Sequence, residues 1–140
     1  MRIGVKGLSK KTGIMKSVVF FWIMRLAVAV ILVQTLYFKF TASEESVYIF
    51  SALGIEPYGR IGTGIAELIT VILILIPRTS LFGAIMGCGV MVGAIFAHLF
   101  VLGIEVKNDG GTLFILALIT FLCCVTLVFK DRTKVMNLLN

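Results

Sequence analysis

Apolar residues fall in four long blocks, at 17–38, 60–76, 80–102 and 111–129, separated by short polar stretches. A hydrocarbon layer is ~30 Å thick and needs about 20 helical residues to cross, with 17 at the short end, so each block is long enough to span. The polar stretch from 39 to 59 has a finer pattern: Val47, Phe50 and Leu53 recur at helical spacing behind Ser43-Glu44-Glu45, and Gly54 and Pro57 follow. Ser43 reads as an N-cap with acids in the first turn, and Gly54 as a C-terminal stop. This pattern predicts a short amphipathic helix lying at the interface between the first and second spans. The predicted fold is all-α, a polytopic membrane protein with four transmembrane helices. Short connections favour neighbouring helices that alternate in direction, giving an up-down-up-down bundle.

Composition removes the soluble alternative. Of the 140 residues, 59% are hydrophobic and 14% charged, against roughly 45–50% and 25% in an average soluble domain; the mean hydropathy is +1.09. The net charge of +6 would suggest nucleic acid in a soluble chain, but here the basic residues sit at the ends of apolar blocks and read as topology signals. Arg2, Lys6, Lys10, Lys11, Lys16, Arg78, Lys130, Arg132 and Lys134 fall on one side, against Lys39, Arg60 and Lys107 on the other. The positive-inside rule then places both termini in the cytoplasm. The first block is too long for a secretory h-region, contains Arg25 and lacks a small-residue cleavage site, so it is expected to be a retained helix. The expected organisation is a basic cytoplasmic N-terminus at 1–16, a membrane domain at 17–129 and a basic cytoplasmic tail at 130–140.

The chemistry must rest on the few polar residues inside the blocks. Arg25 lies ~10 Å and Glu67 ~14 Å from the cytoplasmic ends of their helices at 1.5 Å per residue. Opposite charges at similar depth avoid the cost of burying either alone, which predicts an Arg25–Glu67 ion pair inside the bundle. The alternative has Arg25 snorkelling to the headgroups and Glu67 protonated. Arg60, Thr63, Glu67 and Thr70 share one side of the second helix, a polar stripe of the kind that usually marks a bundle seam. Near the outer rim, Gln34, Lys39 and His98 are expected to form a polar cup, with His98 best suited by its ordinary titration range to exchange protons. Glu67 and His98 are the candidate catalytic residues.

The third block is rich in small residues, and Gly83, Gly87, Gly89 and Gly93 are expected to let neighbouring backbones approach closely. Cys123 and Cys124 point ~100° apart on a helix and cannot close a disulfide without breaking it, so with Cys88 they are expected to be buried thiols. One histidine is too few for a multi-histidine metal site, and no metal-binding motif, phosphate loop or nucleophile elbow is present.

Taken in order, Arg25 and Lys39 on the first helix, Gly62-x-Gly64-x-x-Glu67-Leu68 opening a short second helix, the Pro77-Arg78 turn, the glycine-rich third helix ending in His98, and Asp109-Gly110-Gly111 before the fourth resemble the DoxX-like family of bacterial four-helix membrane proteins. The resemblance covers residues 23–129. It implies an inner-membrane protein working beside a redox partner or the quinone pool, with a quinone as the small molecule it would meet. Three functions are weighed: an accessory subunit of a quinone-linked redox system, with Glu67 and His98 handling protons; a membrane scaffold or assembly factor with no chemistry of its own; and a small transporter. The lipid bilayer, a membrane or redox partner protein and a second copy of the chain are the expected partners, and nucleic acid is not.

Overall fold

The computed structural model describes residues 2–139, with side chains over 7–133. Met1 and the side chains of Arg2, Lys6 and Lys134, on which part of the basic-terminus expectation rests, lie outside the described residues. Five α-helices follow in order: α1 (Arg2–Phe40), α2 (Glu44–Ala52), α3 (Tyr58–Leu75), α4 (Ser80–Ala97) and α5 (Thr112–Leu139). A π-helical turn, His98–Leu102, extends α4. Four segments are long and apolar enough to cross a membrane: Gly7–Phe40, Tyr58–Leu75, Ser80–Leu102 and Thr112–Thr133. The chain is an all-helical membrane protein.

Local chemistry sets the helix ends. The Ser43 side chain accepts a hydrogen bond from the Ser46 N–H and caps α2, with Glu44 and Glu45 in its first turn. Gly54, at φ +75°, ends it in a left-handed conformation that costs glycine nothing. Ile76 precedes Pro77 and is forced to extended geometry, which stops α3. The Thr79 hydroxyl then donates to the free Leu73 carbonyl at 2.9 Å. Asp109 opens α5: its carboxylate accepts from the backbone N–H groups of Val106 (3.1 Å), Gly111 (2.8 Å) and Leu113 (3.2 Å). Burial pushes the Asp109 carboxyl up, but these three bonds, aided by nearby His98, outweigh it and hold the group below its ordinary value.

The four long helices close a ring. α1 packs on α3 and α5, α3 on α4, and α4 on α5, while α2 lies against α1, α3 and the π-helical turn. Val28, Leu32, Val71, Ile74, Met91, Ala117 and Cys124 form the core. On α1 the buried positions Arg25, Val28, Ala29, Leu32 and Leu36 follow helical spacing, and Ile23, Leu26, Val30 and Val33 point outward, as in a helix that meets lipid. Residues 7–20 are all exposed, so the first part of α1 runs past the ring.

Two expectations are corrected by the helix lengths and contacts. The fourth helix does not end at 129: α5 continues to Leu139, which carries Asp131 into the bundle, where it is 4% exposed. Arg25 does not meet Glu67. Its Nε donates to Ser80 Oγ at 3.2 Å and its Nη2 to Asp131 Oδ1 at 3.5 Å, and its guanidinium lies 5.1 Å from the Trp22 ring centre. Glu67 is held instead by Lys39 and Thr35. Lys39, expected at the outer end of the first helix, sits on the last turn of α1, about 21 Å along that helix from Arg25, and its long stem reaches Glu67.

The glycines divide. A Cβ on Gly83 would lie 2.7 Å from the Ile74 backbone nitrogen, and one on Gly87 would lie 2.7 Å from Cys124 Sγ, so these two are the close-approach positions. Gly89 and Gly93 have nothing within 4 Å of an added Cβ. They are not packing positions, because on their side of α4 the ring opens into a cavity.

Candidate functional site

The cavity has a volume of about 440 Å³, within the roughly 300–1,000 Å³ typical of small-molecule sites. Its wall is mostly aliphatic and aromatic, with the α2 residues Ser46, Ile49 and Phe50 along one side and Gly89, Gly93 and Ala97 of α4 along another. Small residues on α4 make the space; a bulky side chain at Gly93 would fill it. Into this apolar enclosure project Thr35 and Lys39 of α1, Glu45 of α2, Thr63 and Glu67 of α3, and His98, and Thr120 of α5 borders it.

Glu67 is the best-held of these groups. Its Oε1 accepts from Lys39 Nζ and its Oε2 lies 3.0 Å from the Thr35 hydroxyl. The side chains are 3% exposed for Glu67 and 14% for Lys39, so the carboxylate is the more deeply enclosed partner. Lys39 is steadied from a second direction by the Phe50 ring of α2, 6.0 Å away. Arg60, one turn into α3, donates from Nη1 to the Lys39 carbonyl and from Nε to Glu56 Oε1 at 2.8 Å. It thereby joins the end of α1 to the start of α3 and satisfies a carbonyl that α1 cannot pair internally.

His98 opens the π-helical turn. Its backbone carbonyl accepts from the Gly103 N–H at 2.7 Å, and its Nδ1 lies 3.0 Å from the Gly103 carbonyl. A carbonyl can only accept, so Nδ1 carries the proton and Nε2 is the site at which the neutral ring gains one. The Phe114 ring of α5 packs edge-on at 5.6 Å and fixes the imidazole plane. Gly103, at φ +79°, makes the sharp reversal that brings its carbonyl back to the ring.

Of the residues singled out from sequence, Lys39, Glu67 and His98 line this cavity. Gln34 does not: it faces outward on α1, and Thr35 takes its place in the wall. Arg25 belongs to a separate buried cluster with Ser80 and Asp131. Thr63 and Glu67 of the α3 stripe face the cavity, whereas Thr70 is fully buried with its hydroxyl on the Ala66 carbonyl. Sequence reasoning passed over Thr120, a lone hydroxyl in the apolar run Leu118-Ile119-Thr120-Phe121-Leu122. Its isolation gave no signal, since Thr126 stands equally alone in the same helix. Among the described residues no group of three or more His, Cys, Asp or Glu side chains could hold a metal ion.

What the arrangement can do follows from these groups. It can enclose an amphiphile against apolar walls, hydrogen-bond an oxygen on it, and exchange protons through Glu67 and His98. Lys39 and Glu67 neutralise each other, so the polar end of the cavity carries no unmatched cation with which to hold an anion.

A sequence model of the DoxX-like family matches residues 23–126. No curated protein and no solved structure matches the chain.

Proposed function

The chain belongs to the DoxX-like family, and from that premise we propose that it is an accessory subunit of a quinone-linked redox system in the bacterial inner membrane. On this reading the cavity takes the quinone headgroup, and both termini lie in the cytoplasm. The observation that carries it is the convergence of Lys39–Glu67 and His98 on one apolar-walled cavity of about 440 Å³. Ionisable residues inside a membrane bundle are costly to keep, and here they surround a space instead of filling one.

The chemistry asked of them is limited. Reducing a quinone to a quinol consumes two electrons and two protons; a redox partner supplies the electrons and the cavity groups relay the protons. His98 Nε2 is free to bind a proton while Nδ1 stays anchored on Gly103. Glu67 can take one by exchanging the Lys39 bond for a bond to the ligand. Lys39 then provides the compensating donor to whichever oxygen is anionic.

The test is native mass spectrometry of the protein released from native-lipid nanodiscs, with extraction of what stays bound. A stoichiometric quinone or redox subunit retained by the wild type and lost in Glu67→Gln is the expected result. Bulk lipid alone, identical in both proteins, would overturn the reading in favour of a scaffold or assembly role.

A further inference from the structure

Thr120 on α5 is fully buried, lines the cavity, and has no hydrogen-bond partner for its hydroxyl. The contrast with the rest of the chain is sharp. Thr12, Thr35, Thr41, Thr63, Thr70, Thr79, Thr112, Thr126 and Thr133 each place the hydroxyl within hydrogen-bonding distance of a backbone carbonyl, at 2.6–3.2 Å. A helical threonine reaches the carbonyl three or four residues back by turning one torsion. Inside a bilayer, where no bulk water takes up an idle donor, that turn is strongly favoured. Thr120 forgoes it.

Position adds to this. His98 packs on Phe114, and Thr120 lies six residues further along α5, about 9 Å by the helical rise. The cavity therefore presents polar groups at two levels. A ligand with an oxygen at each end of a six-membered ring can meet a polar group at each level.

We propose that the Thr120 hydroxyl is the recognition point for an oxygen at the leading end of the ligand, and that the ligand is a neutral, oxygen-bearing amphiphile. This rests on the reading of the cavity as a ligand site. A hydroxyl both donates and accepts, and the residue borders the cavity while its oxygen is closed off from it, so a turn about the side-chain torsion lets Thr120 donate to a ligand carbonyl or accept from a ligand hydroxyl without moving the helix. Neutrality follows from the wall: the Lys39 charge is already matched by Glu67, so nothing there holds an anion, and the one further carboxylate that lines it, Glu45, is only half-buried.

The experiment uses the full chain in lipid nanodiscs as wild type, Thr120→Val and Thr120→Ser. Three probes share a ten-carbon tail: decyl-benzoquinone, decanol and decylbenzene. Valine keeps the shape and removes only the hydroxyl, so the unliganded variant is expected to be as stable as the wild type or more so. Its affinity for decyl-benzoquinone is expected to fall about tenfold, the worth of one enclosed hydrogen bond. Decylbenzene binding should not change, and Thr120→Ser should restore the loss. Undiminished quinone binding in Thr120→Val overturns the inference alone. So does a lower unliganded Tm in the valine but not the serine variant, which would show that the hydroxyl has a structural partner. Decanol bound in preference to the quinone, and weakened by Thr120→Val, supports the inference and overturns the quinone reading. Oxygenated probes bound no better than decylbenzene by the wild type overturn both.

Discussion

Cutting the Lys39–Glu67 pair from each side should cost unequal amounts, and cutting both sides should cost less than the worse single change. In Lys39→Met the carboxylate, 3% exposed, keeps only the Thr35 hydroxyl. Removing one partner of a buried pair costs about 3–5 kcal/mol, because the other charge stays behind uncompensated. In Glu67→Gln the orphan is the ammonium, which is 14% exposed and sits on the last turn of α1. Its stem can carry the charge outward, so the cost is about 1–3 kcal/mol. The double variant leaves a thioether facing an amide with no net charge and should lie within about 2 kcal/mol of the wild type. The cycle therefore predicts a coupling of at least about 2 kcal/mol. Equilibrium unfolding in mixed micelles, followed through the single tryptophan, Trp22, measures all four corners. Arg25→Met combined with Glu67→Gln is the control and should be additive within about 0.5 kcal/mol, since Arg25 is ten residues from Thr35 along α1. A Lys39–Glu67 coupling below about 0.5 kcal/mol, or a larger coupling in the Arg25 cycle, would refute the assignment of partners.

Four further outcomes follow from the same geometry. Gly83→Ala puts a methyl 2.7 Å from the Ile74 backbone nitrogen and should destabilise by about 1–3 kcal/mol in micelle unfolding. Gly89→Ala meets open space and should be neutral or stabilising by up to about 1 kcal/mol. Gly93→Leu should fold with near wild-type stability yet exclude the decyl probes, because its side chain would occupy the cavity; unchanged binding would show that the ligand sits elsewhere. Asp109→Ala removes the α5 cap and should cost about 0.5–2 kcal/mol at neutral pH. Because the folded carboxyl lies below its ordinary value, its contribution is complete above about pH 4, the unfolded value, and is lost as pH falls through the folded one. Acid unfolding curves of the wild type and Asp109→Ala should accordingly converge at low pH.

How much of this was legible beforehand differs by kind of feature. Four apolar blocks, the Ser43 cap, the Gly54 stop and the Pro77 break are written in local composition and chain stereochemistry, and they reappear within a few residues in α1 to α5. The two ends that slipped, the start of α1 and the finish of α5, are basic, and lysine and arginine are good helix formers that give no stop signal. That error had consequences for the charges. Treating Asp131 as tail removed the natural partner of Arg25 and left Glu67 as the one acid in reach, so a sound energetic rule selected the wrong pair. Which cation reaches which carboxylate depends on stem length and helix crossing, neither of which sequence spacing encodes. The glycines make the same point, since four identical residues on α4 divide between contact and void according to which neighbour faces them. Thr120 is the limiting case. Ten threonines look alike in the sequence, and every one could have satisfied its own helix; the one that does not is recognisable only once all the others have been seen to do so. A site of this kind is defined by an interaction withheld from the fold, and withheld interactions leave no mark on composition or periodicity.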